Sequence, residues 1–127
     1  MRRFLITRAH SFRNALRGLR YVVRTQQNAW IHAIVTVLVV AVSFWLNLAL
    51  RDWVVLFLAI ALVWAAEFFN TSIEAVVDLA SPAQHPLAKV GKDVGAAAVF
   101  IAALTSALIG FLILGPPLWE RVKNLFL

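Results

Sequence analysis

The stretch EFFNTSIEAVVD, residues 67–78, ends a long apolar run and contains three of the six acidic residues in the chain. Successive residues of an α-helix are about 100° apart, so four polar residues of this stretch fall on one narrow face, the polar stripe: Glu67, Asn70, Glu74 and Asp78. A charge at the centre of a bilayer costs about 2.5 kcal/mol or more. We therefore interpret the polar stripe as a functional site, with ordinary polar residues at the membrane surface as the alternative.

The composition indicates a small integral membrane protein. Of 127 residues, 62% are hydrophobic and only 14% are charged, and the mean hydropathy is +0.83. A soluble domain does not have this balance. The chain has room for one membrane domain, residues 1–127, and its small interior favours a homo-oligomer. Because it contains no cysteine, disulfides and thiolate metal sites are excluded.

Positive charge is concentrated before the first apolar run. The net charge is +6, and seven arginines precede that run: Arg2, Arg3, Arg8, Arg13, Arg17, Arg20 and Arg24. Arginines beside a membrane span are attracted to anionic lipid and favour the cytoplasmic side. We therefore expect a cytoplasmic amino terminus, and the lipid bilayer rather than nucleic acid as the partner of this segment.

Hydrophobic periodicity predicts an all-α fold with a surface helix and three transmembrane helices. Over about residues 9–25, Phe12, Leu16 and Leu19 recur at spacings of three and four beside arginines, as in an amphipathic helix in the membrane interface. The following apolar runs are each long enough to cross a hydrocarbon core of about 30 Å. They predict spans over about residues 30–50, 53–79 and 94–114.

Short segments are expected to separate and end these spans. Arg51 and Asp52 would form the turn between spans one and two. The prolines within residues 80–90 would end the helix of span two, and the prolines that follow Gly115 would end span three. Span three has a face of small residues suited to close helix packing: Gly91, Gly95, Ala98, Ala102, Ser106 and Gly110.

The depth of the polar stripe follows from the direction of span two, which should run from the outer to the inner face. With a rise of about 1.5 Å per residue, Glu67 lies about 21 Å from Trp53 and about 9 Å short of the inner edge of the core. Glu74 lies about 10 Å further towards the cytosol. A lone histidine at the start of span one, His32, is expected to hydrogen-bond at the headgroup level rather than to bind a ligand.

These residue types suit phosphoryl transfer to a lipid alcohol. The sequence contains no GxxxxGK[ST] phosphate loop and no Cys/His metal cluster. Carboxylates can hold Mg²⁺ together with substrate phosphates, and a lysine can neutralise phosphate. Two alternatives remain open at this point. One is a small oligomeric transporter with Glu67 as its proton or cation site, and the other is a scaffold held together by the small-residue face.

At these residues the chain resembles the prokaryotic diacylglycerol kinase and undecaprenol kinase family. The resemblance covers nearly the whole chain and rests on several motifs. They are F-x-x-A-x-x-G at 12–18, Asn28, the pair Ile31-His32, E-x-x-N-T-x-I-E-A-V-V-D-L at 67–79, S-P-x-x-H-P-L-A-K at 81–89, and the pair Lys92-Asp93. The Ser-Pro-x-x-His-Pro form is more similar to the undecaprenol kinase branch.

The resemblance implies a homotrimer of three-span subunits, each with a surface helix, in the inner (cytoplasmic) membrane of a bacterium. It implies phosphorylation of a membrane lipid alcohol by ATP with Mg²⁺, with undecaprenol favoured and diacylglycerol next. Glu67 would be the general base, and Ala96 would join it at the lipid substrate. The metal ligands would be Glu74 and Gln26. The nucleotide site would comprise Asn14, Gln26, Asn70, Glu74, Asp78, Gln84, His85, Lys92 and Asp93.

One departure from the family pattern concerns the metal. Members usually carry a glutamate before the first span, in an E-x-N pattern, where this chain has Gln26 and Asn28. A glutamine carbonyl can coordinate Mg²⁺ but contributes no charge. The sequence therefore predicts weaker metal affinity rather than loss of activity.

Overall fold

The computed structural model describes residues 1–81 and 85–126, except for the side chains of residues 2–6 and 126. Within these ranges the regular elements are α-helices: α1 (Arg2–Thr25), α2 (Gln27–Trp45), α3 (Leu50–Ala80) and α4 (Pro86–Phe126). Helices α2, α3 and α4 are long and apolar enough to cross a membrane. The predicted all-α membrane fold, with three apolar helices after an amino-terminal one, is confirmed.

Helix α1 leaves an apolar face uncovered by the rest of the chain. Phe12, Leu16 and Leu19 are all exposed along it, as expected for a helix in the membrane interface. The helix begins at Arg2, about two turns before the predicted start near Ala9. Residues 2–8 contain neither proline nor glycine, so nothing in this segment stops the helix.

The turn between α2 and α3 was predicted at Arg51 and Asp52, but it lies earlier in the chain. Helix α2 ends at Trp45 and α3 begins at Leu50, so both residues lie in the first turn of α3. Asn47 lies in the connection with φ of 52°, in the left-handed region that asparagine tolerates better than most residues. The turn was missed because its neighbours are leucines, which continue the apolar run. Asp52 now complements the positive amino-terminal end of α3.

Helices α3 and α4 pack against each other in antiparallel orientation and form most of the core. The Ser106 hydroxyl donates a hydrogen bond of 2.9 Å to the carbonyl of Ala59, whereas Gly95 lies against Asn70 at the opposite end. Gly95 and Ala102 of the predicted small-residue face are buried. Their small size lets the two backbones approach closely, and this approach carries one end of α4 past the polar stripe.

Helix α4 extends beyond both predicted ends of span three, because it begins at Pro86 rather than near residue 94 and does not end near residue 114. It continues through Pro116 and Pro117 to Phe126. A proline has no N–H, so the carbonyls one turn earlier lose a hydrogen bond, but the fixed φ of proline is itself helical, and membrane helices tolerate such interruptions. The extended end returns to α2, because the Arg121 guanidinium lies 5.8 Å from the centre of the Trp45 ring.

Candidate functional site

The polar stripe passes from the protein interior to its surface along α3. Glu67 is fully buried and Asn70 is 6% exposed. One and two turns later, Glu74 is partly exposed and Asp78 is exposed. A ligand that lies along the stripe would therefore contact the buried carboxylate of Glu67 at one end and be exposed to water at the other.

Helix α2 brings His32 to the buried end of the stripe. The Nε2 atom of His32 lies 3.9 Å from the Oε2 atom of Glu67, which is too long for a hydrogen bond. The imidazole and the Trp64 ring lie at 69° to each other, with the ring centres 6.3 Å apart. The Trp64 indole is itself held by α2, because its Nε1 donates to Thr36 Oγ1 at 3.3 Å. His32 thus faces a protein carboxylate rather than the headgroup layer.

This end of the stripe contains polar atoms that lack hydrogen-bond partners. Among the described residues, the buried side-chain atoms without a partner are His32 Nε2, Glu67 Oε1, Glu67 Oε2 and Asn70 Oδ1. Each unpaired buried polar atom costs about 1–3 kcal/mol, and such atoms are uncommon in folded proteins. Four of them in three neighbouring side chains indicate a site that binds a polar ligand.

Asn70 connects the buried carboxylate to the more exposed one. Its Nδ2 donates a hydrogen bond of 3.1 Å to Glu74 Oε1, so the amide orients the Glu74 carboxylate. Its Oδ1 lies against Gly95 of α4, where even a β-carbon would collide with it. The sequence placed Gly95 only on a packing face. Its role in seating Asn70 could not be found without the helix pairing.

Of the nucleotide-site residues predicted beyond the stripe, Lys92 contacts its exposed end. Lys92 forms an ion pair with Asp78, and Asp93 beside it is exposed. His85 immediately precedes α4, and its Nδ1 accepts a hydrogen bond of 3.2 Å from the N–H of Leu87 in the first turn of that helix. This contact is a helix cap, a structural role that the sequence did not predict. Gln84 lies outside the described residues.

The remaining predicted residues are placed but not joined to the stripe. Asn14 is exposed on α1, and Gln26 is partly buried at the junction of α1 and α2. Ala96 follows Gly95 on α4 and is exposed. In the part of the chain that the structure describes, no hydrogen bond links Asn14 or Gln26 to Glu74. Their assignment to the metal and nucleotide stays a prediction.

An apolar groove leads away from the buried end of the stripe. It has a volume of about 560 Å³ and lies between α2, α3 and α4. Its lining includes His32, Thr36 and Trp64 near the stripe, and Gly110, Leu114 and Leu118 further along α4. Glu67 does not line it, so His32 stands between the groove and the buried carboxylate. The sequence predicted apolar contacts along these helices but not their joint cavity.

The donor atoms fit a divalent cation that arrives with a phosphate ligand. Within residues 1–81 and 85–126, no group of three or more His, Cys, Asp or Glu side chains could hold a metal by itself. Mg²⁺ is usually bound by one or two carboxylates together with substrate phosphates and water. Glu74 meets that need, because one oxygen is held by Asn70 and the carboxylate reaches the partly exposed part of the stripe.

The family model for prokaryotic diacylglycerol kinase matches residues 13–114. An undecaprenol kinase of Bacillus subtilis (strain 168) is 40% identical over 108 residues, which cover 85% of this chain and 88% of that protein. A diacylglycerol kinase of Synechocystis is 40% identical over 109 residues, 85% of this chain but 62% of the relative.

A diacylglycerol kinase of Escherichia coli (strain K12) is more distant, at 30% identity over 104 residues that cover 76% of this chain and 85% of the relative. The family match extends from α1 through the polar stripe and into α4. It confirms the resemblance inferred from the motifs. The chain belongs to the prokaryotic diacylglycerol kinase family.

Proposed function

We propose that this lipid kinase transfers the terminal phosphoryl group of ATP to the primary hydroxyl of a membrane lipid alcohol, with Glu67 as general base. The observation that carries the proposal is the buried, unpartnered carboxylate of Glu67 at the end of a stripe that opens towards water. A base in this position can reach a hydroxyl held at the membrane surface. Family membership favours this reaction over the transporter and scaffold alternatives.

The transfer step needs a proton acceptor and correct positioning. As the lipid hydroxyl oxygen bonds to the γ-phosphorus, its proton passes to Glu67. The bond from that phosphorus to the bridging oxygen breaks, and its electron pair leaves with ADP. Because phosphoryl transfer depends mainly on positioning and charge stabilisation, Glu67 has to be held beside the hydroxyl. The tight packing of α3 on α4 supports such a fixed position.

The nucleotide would lie along the exposed part of the stripe. Glu74 would hold Mg²⁺ there, with Gln26 as a second, uncharged ligand. When bound, Mg²⁺ supplies positive charge that neutralises the triphosphate. Lys92 would add a point charge to the phosphates. Asn14, Asn70, Asp78, Gln84, His85 and Asp93 complete the proposed nucleotide site.

We favour undecaprenol over diacylglycerol as the lipid alcohol. The apolar groove between α2, α3 and α4 is lined mainly by apolar side chains, which suits an isoprenoid tail. Ala96, next to the glycine that seats Asn70, would contact the same substrate. The undecaprenol kinase relative is matched over 88% of its length. Parallel assays with each purified alcohol test this preference.

The proposed topology puts the reaction at the cytoplasmic face of the inner membrane. Seven arginines precede the first span, and such segments stay on the cytoplasmic side. The amino terminus and the connection between α3 and α4 would then face the cytosol, where ATP is available. We further propose a homotrimer. Many large side chains on α2 and α4 are exposed in the single chain, and native mass spectrometry in detergent would give the subunit number.

The test is transfer of labelled phosphate from ATP to lipid alcohols by the full chain in detergent micelles. We expect Glu67→Gln to lower kcat by at least about 100-fold, as general-base loss does, and Glu74→Gln to raise the Mg²⁺ requirement. Asp52→Asn is the matched control, because Asp52 lies at the far end of the same helix. Normal transfer by the Glu67 variant would refute the assigned base.

A further inference from the structure

We propose that His32 holds the lipid hydroxyl beside Glu67, with its Nε2 donating a hydrogen bond to the hydroxyl oxygen while the hydroxyl hydrogen points to the carboxylate. This assignment rests on the proposed function and adds a residue that contacts the reacting alcohol. It replaces the sequence-based expectation that His32 serves only as a headgroup-level polar residue.

The distance between the two side chains suits a bridging oxygen atom. His32 Nε2 and Glu67 Oε2 are 3.9 Å apart, so they do not bond to each other directly. Two hydrogen bonds of about 2.8 Å each can join atoms that are up to about 5.6 Å apart through one shared oxygen. A hydroxyl oxygen about 2.8 Å from both atoms would lie about 2 Å to the side of the line that joins them, and from there it would bridge the imidazole and the carboxylate.

The hydrogen-bonding capacity of the two side chains matches that of an alcohol. The hydroxyl group has one hydrogen to donate and lone pairs that accept. Glu67 offers two acceptor oxygens without partners, and His32 offers an unpartnered Nε2. One bound alcohol would satisfy a donor and an acceptor that otherwise remain unpaired in the interior.

The apolar groove explains why an alcohol rather than a free polar metabolite would occupy this position. His32 lines the groove at the end near the stripe, whereas Glu67 does not. An apolar tail in the groove would present its hydroxyl first to His32 and then to the carboxylate behind it. Trp64 restricts the imidazole, since the two rings meet at 69° and the indole donates a hydrogen bond to Thr36.

The chemical consequence is a hydroxyl oriented for proton transfer. A hydrogen bond from Nε2 occupies one lone pair of the oxygen and turns the O–H bond towards Glu67. The second lone pair stays free to attack phosphorus as Glu67 accepts the proton. Transfer of the phosphoryl group to water would also be limited. A water molecule at this position has no apolar tail in the groove to hold it there.

Binding can be tested without ATP by nuclear magnetic resonance of the imidazole nitrogens. The full chain, labelled with ¹⁵N-histidine in micelles, has three imidazoles, and His10→Gln and His85→Gln variants assign the His32 signals by elimination. We expect farnesol to shift the His32 Nε2 signal and farnesene, a hydrocarbon of similar shape, not to shift it. No shift with farnesol, or equal shifts with both, would overturn the proposal.

Kinetics give the second test. We expect His32→Ala to raise KM for the lipid alcohol about 10-fold, as loss of a hydrogen bond to substrate does, and to leave KM for ATP unchanged. His32→Gln, which keeps an N–H donor, should recover part of the loss. His10→Gln is the matched control, because His10 is exposed on α1, where its Nδ1 lies 3.0 Å from Arg13.

The results separate failure of this inference from failure of the proposed function. If the parent chain transfers no phosphate to any alcohol, the proposed function itself is wrong. If the parent is active and Glu67→Gln is inactive, but His32→Ala keeps the parent KM for the alcohol, only the role of His32 is refuted. An equal rise in KM for ATP would assign His32 a structural role instead.

Discussion

Gly95 of α4 lies so close to Asn70 of α3 that a β-carbon at residue 95 would collide with Asn70 Oδ1. The same amide donates from Nδ2 to Glu74. The spacing of the two helices at one glycine therefore sets the position of a carboxylate on the partly exposed part of the stripe.

Replacement of that glycine should impair catalysis without unfolding the protein. In Gly95→Ala the methyl group has to displace the Asn70 side chain, and Glu74 then loses its hydrogen bond. We expect kcat/KM for ATP to fall by at least about 10-fold, the factor that corresponds to about 1.4 kcal/mol. The measurement is lipid phosphorylation at varied ATP and Mg²⁺.

Gly91→Ala provides the matched control for Gly95→Ala. A β-carbon there would lie 3.7 Å from Val77 Cγ2, an ordinary contact, and alanine favours a helix interior over glycine by about 0.8–1.0 kcal/mol. We expect this variant to be at least as stable as the parent and equally active. Equal losses in both variants would mean that general packing of α4, and not the seat of Asn70, controls activity.

Removal of the Asn70 amide should have the same effect as Gly95→Ala, because both changes disturb the hydrogen bond from Asn70 to Glu74. In Asn70→Ala no donor remains to orient Glu74, so we expect a similar fall in kcat/KM for ATP. The double variant should then be little worse than either single variant, because both act through one contact. If the fold losses of the two single variants multiply in the double variant, the two residues act independently. The double-mutant cycle measures the coupling energy between them.

Gln26→Glu tests the uncharged metal ligand. Gln26 is partly buried between α1 and α2, and a carboxylate there would add a charge for Mg²⁺. We expect half-maximal activity at a lower Mg²⁺ concentration than in the parent, with kcat little changed. The Mg²⁺ dependence of phosphorylation measures this, and Gln27→Glu, at the adjacent exposed residue, is the control. An unchanged Mg²⁺ requirement would exclude residue 26 as a ligand.

The Asp78–Lys92 ion pair should contribute little to stability. The side chains are 64% and 39% exposed, and exposed pairs are worth about 0–1 kcal/mol and are screened by salt. Lys92→Met should therefore leave the melting temperature nearly unchanged while it raises KM for ATP. Thermal denaturation and ATP titration measured on the same preparation check both parts. A large loss of stability would reveal a structural role for Lys92.

The sequence predicted the elements and the stripe because both depend on local periodicity. Apolar runs define the three membrane-spanning helices, and a 100° rotation per residue places Glu67, Asn70 and Glu74 on one face. The position of His32 opposite Glu67 could not be predicted, since the two residues are far apart in sequence and meet only through the packing of α2 on α3. Gly95 against Asn70 depends in the same way on the register of α4.

The errors at the helix ends have local causes. Asn47 forms a turn within an apolar segment, where hydropathy does not separate it from its neighbours. Pro116 and Pro117 predict a helix end in water, whereas α4 continues through them. In a membrane, no water is available to hydrogen-bond backbone groups that leave a helix, so the helical conformation is favoured even at a proline.

The continuation of α4 can be tested by replacing both prolines. In the double variant Pro116→Ala/Pro117→Ala, two restored N–H groups can bond to carbonyls one turn earlier in the helix. If α4 is continuous through this segment, we expect a higher melting temperature, with a gain in unfolding free energy of up to about 3 kcal/mol for an interior proline. Activity should be unchanged, because both residues lie far along α4 from Gly95 and Asn70. A melting temperature equal to that of the parent would indicate that the helix ends near residue 114, as the sequence alone predicts.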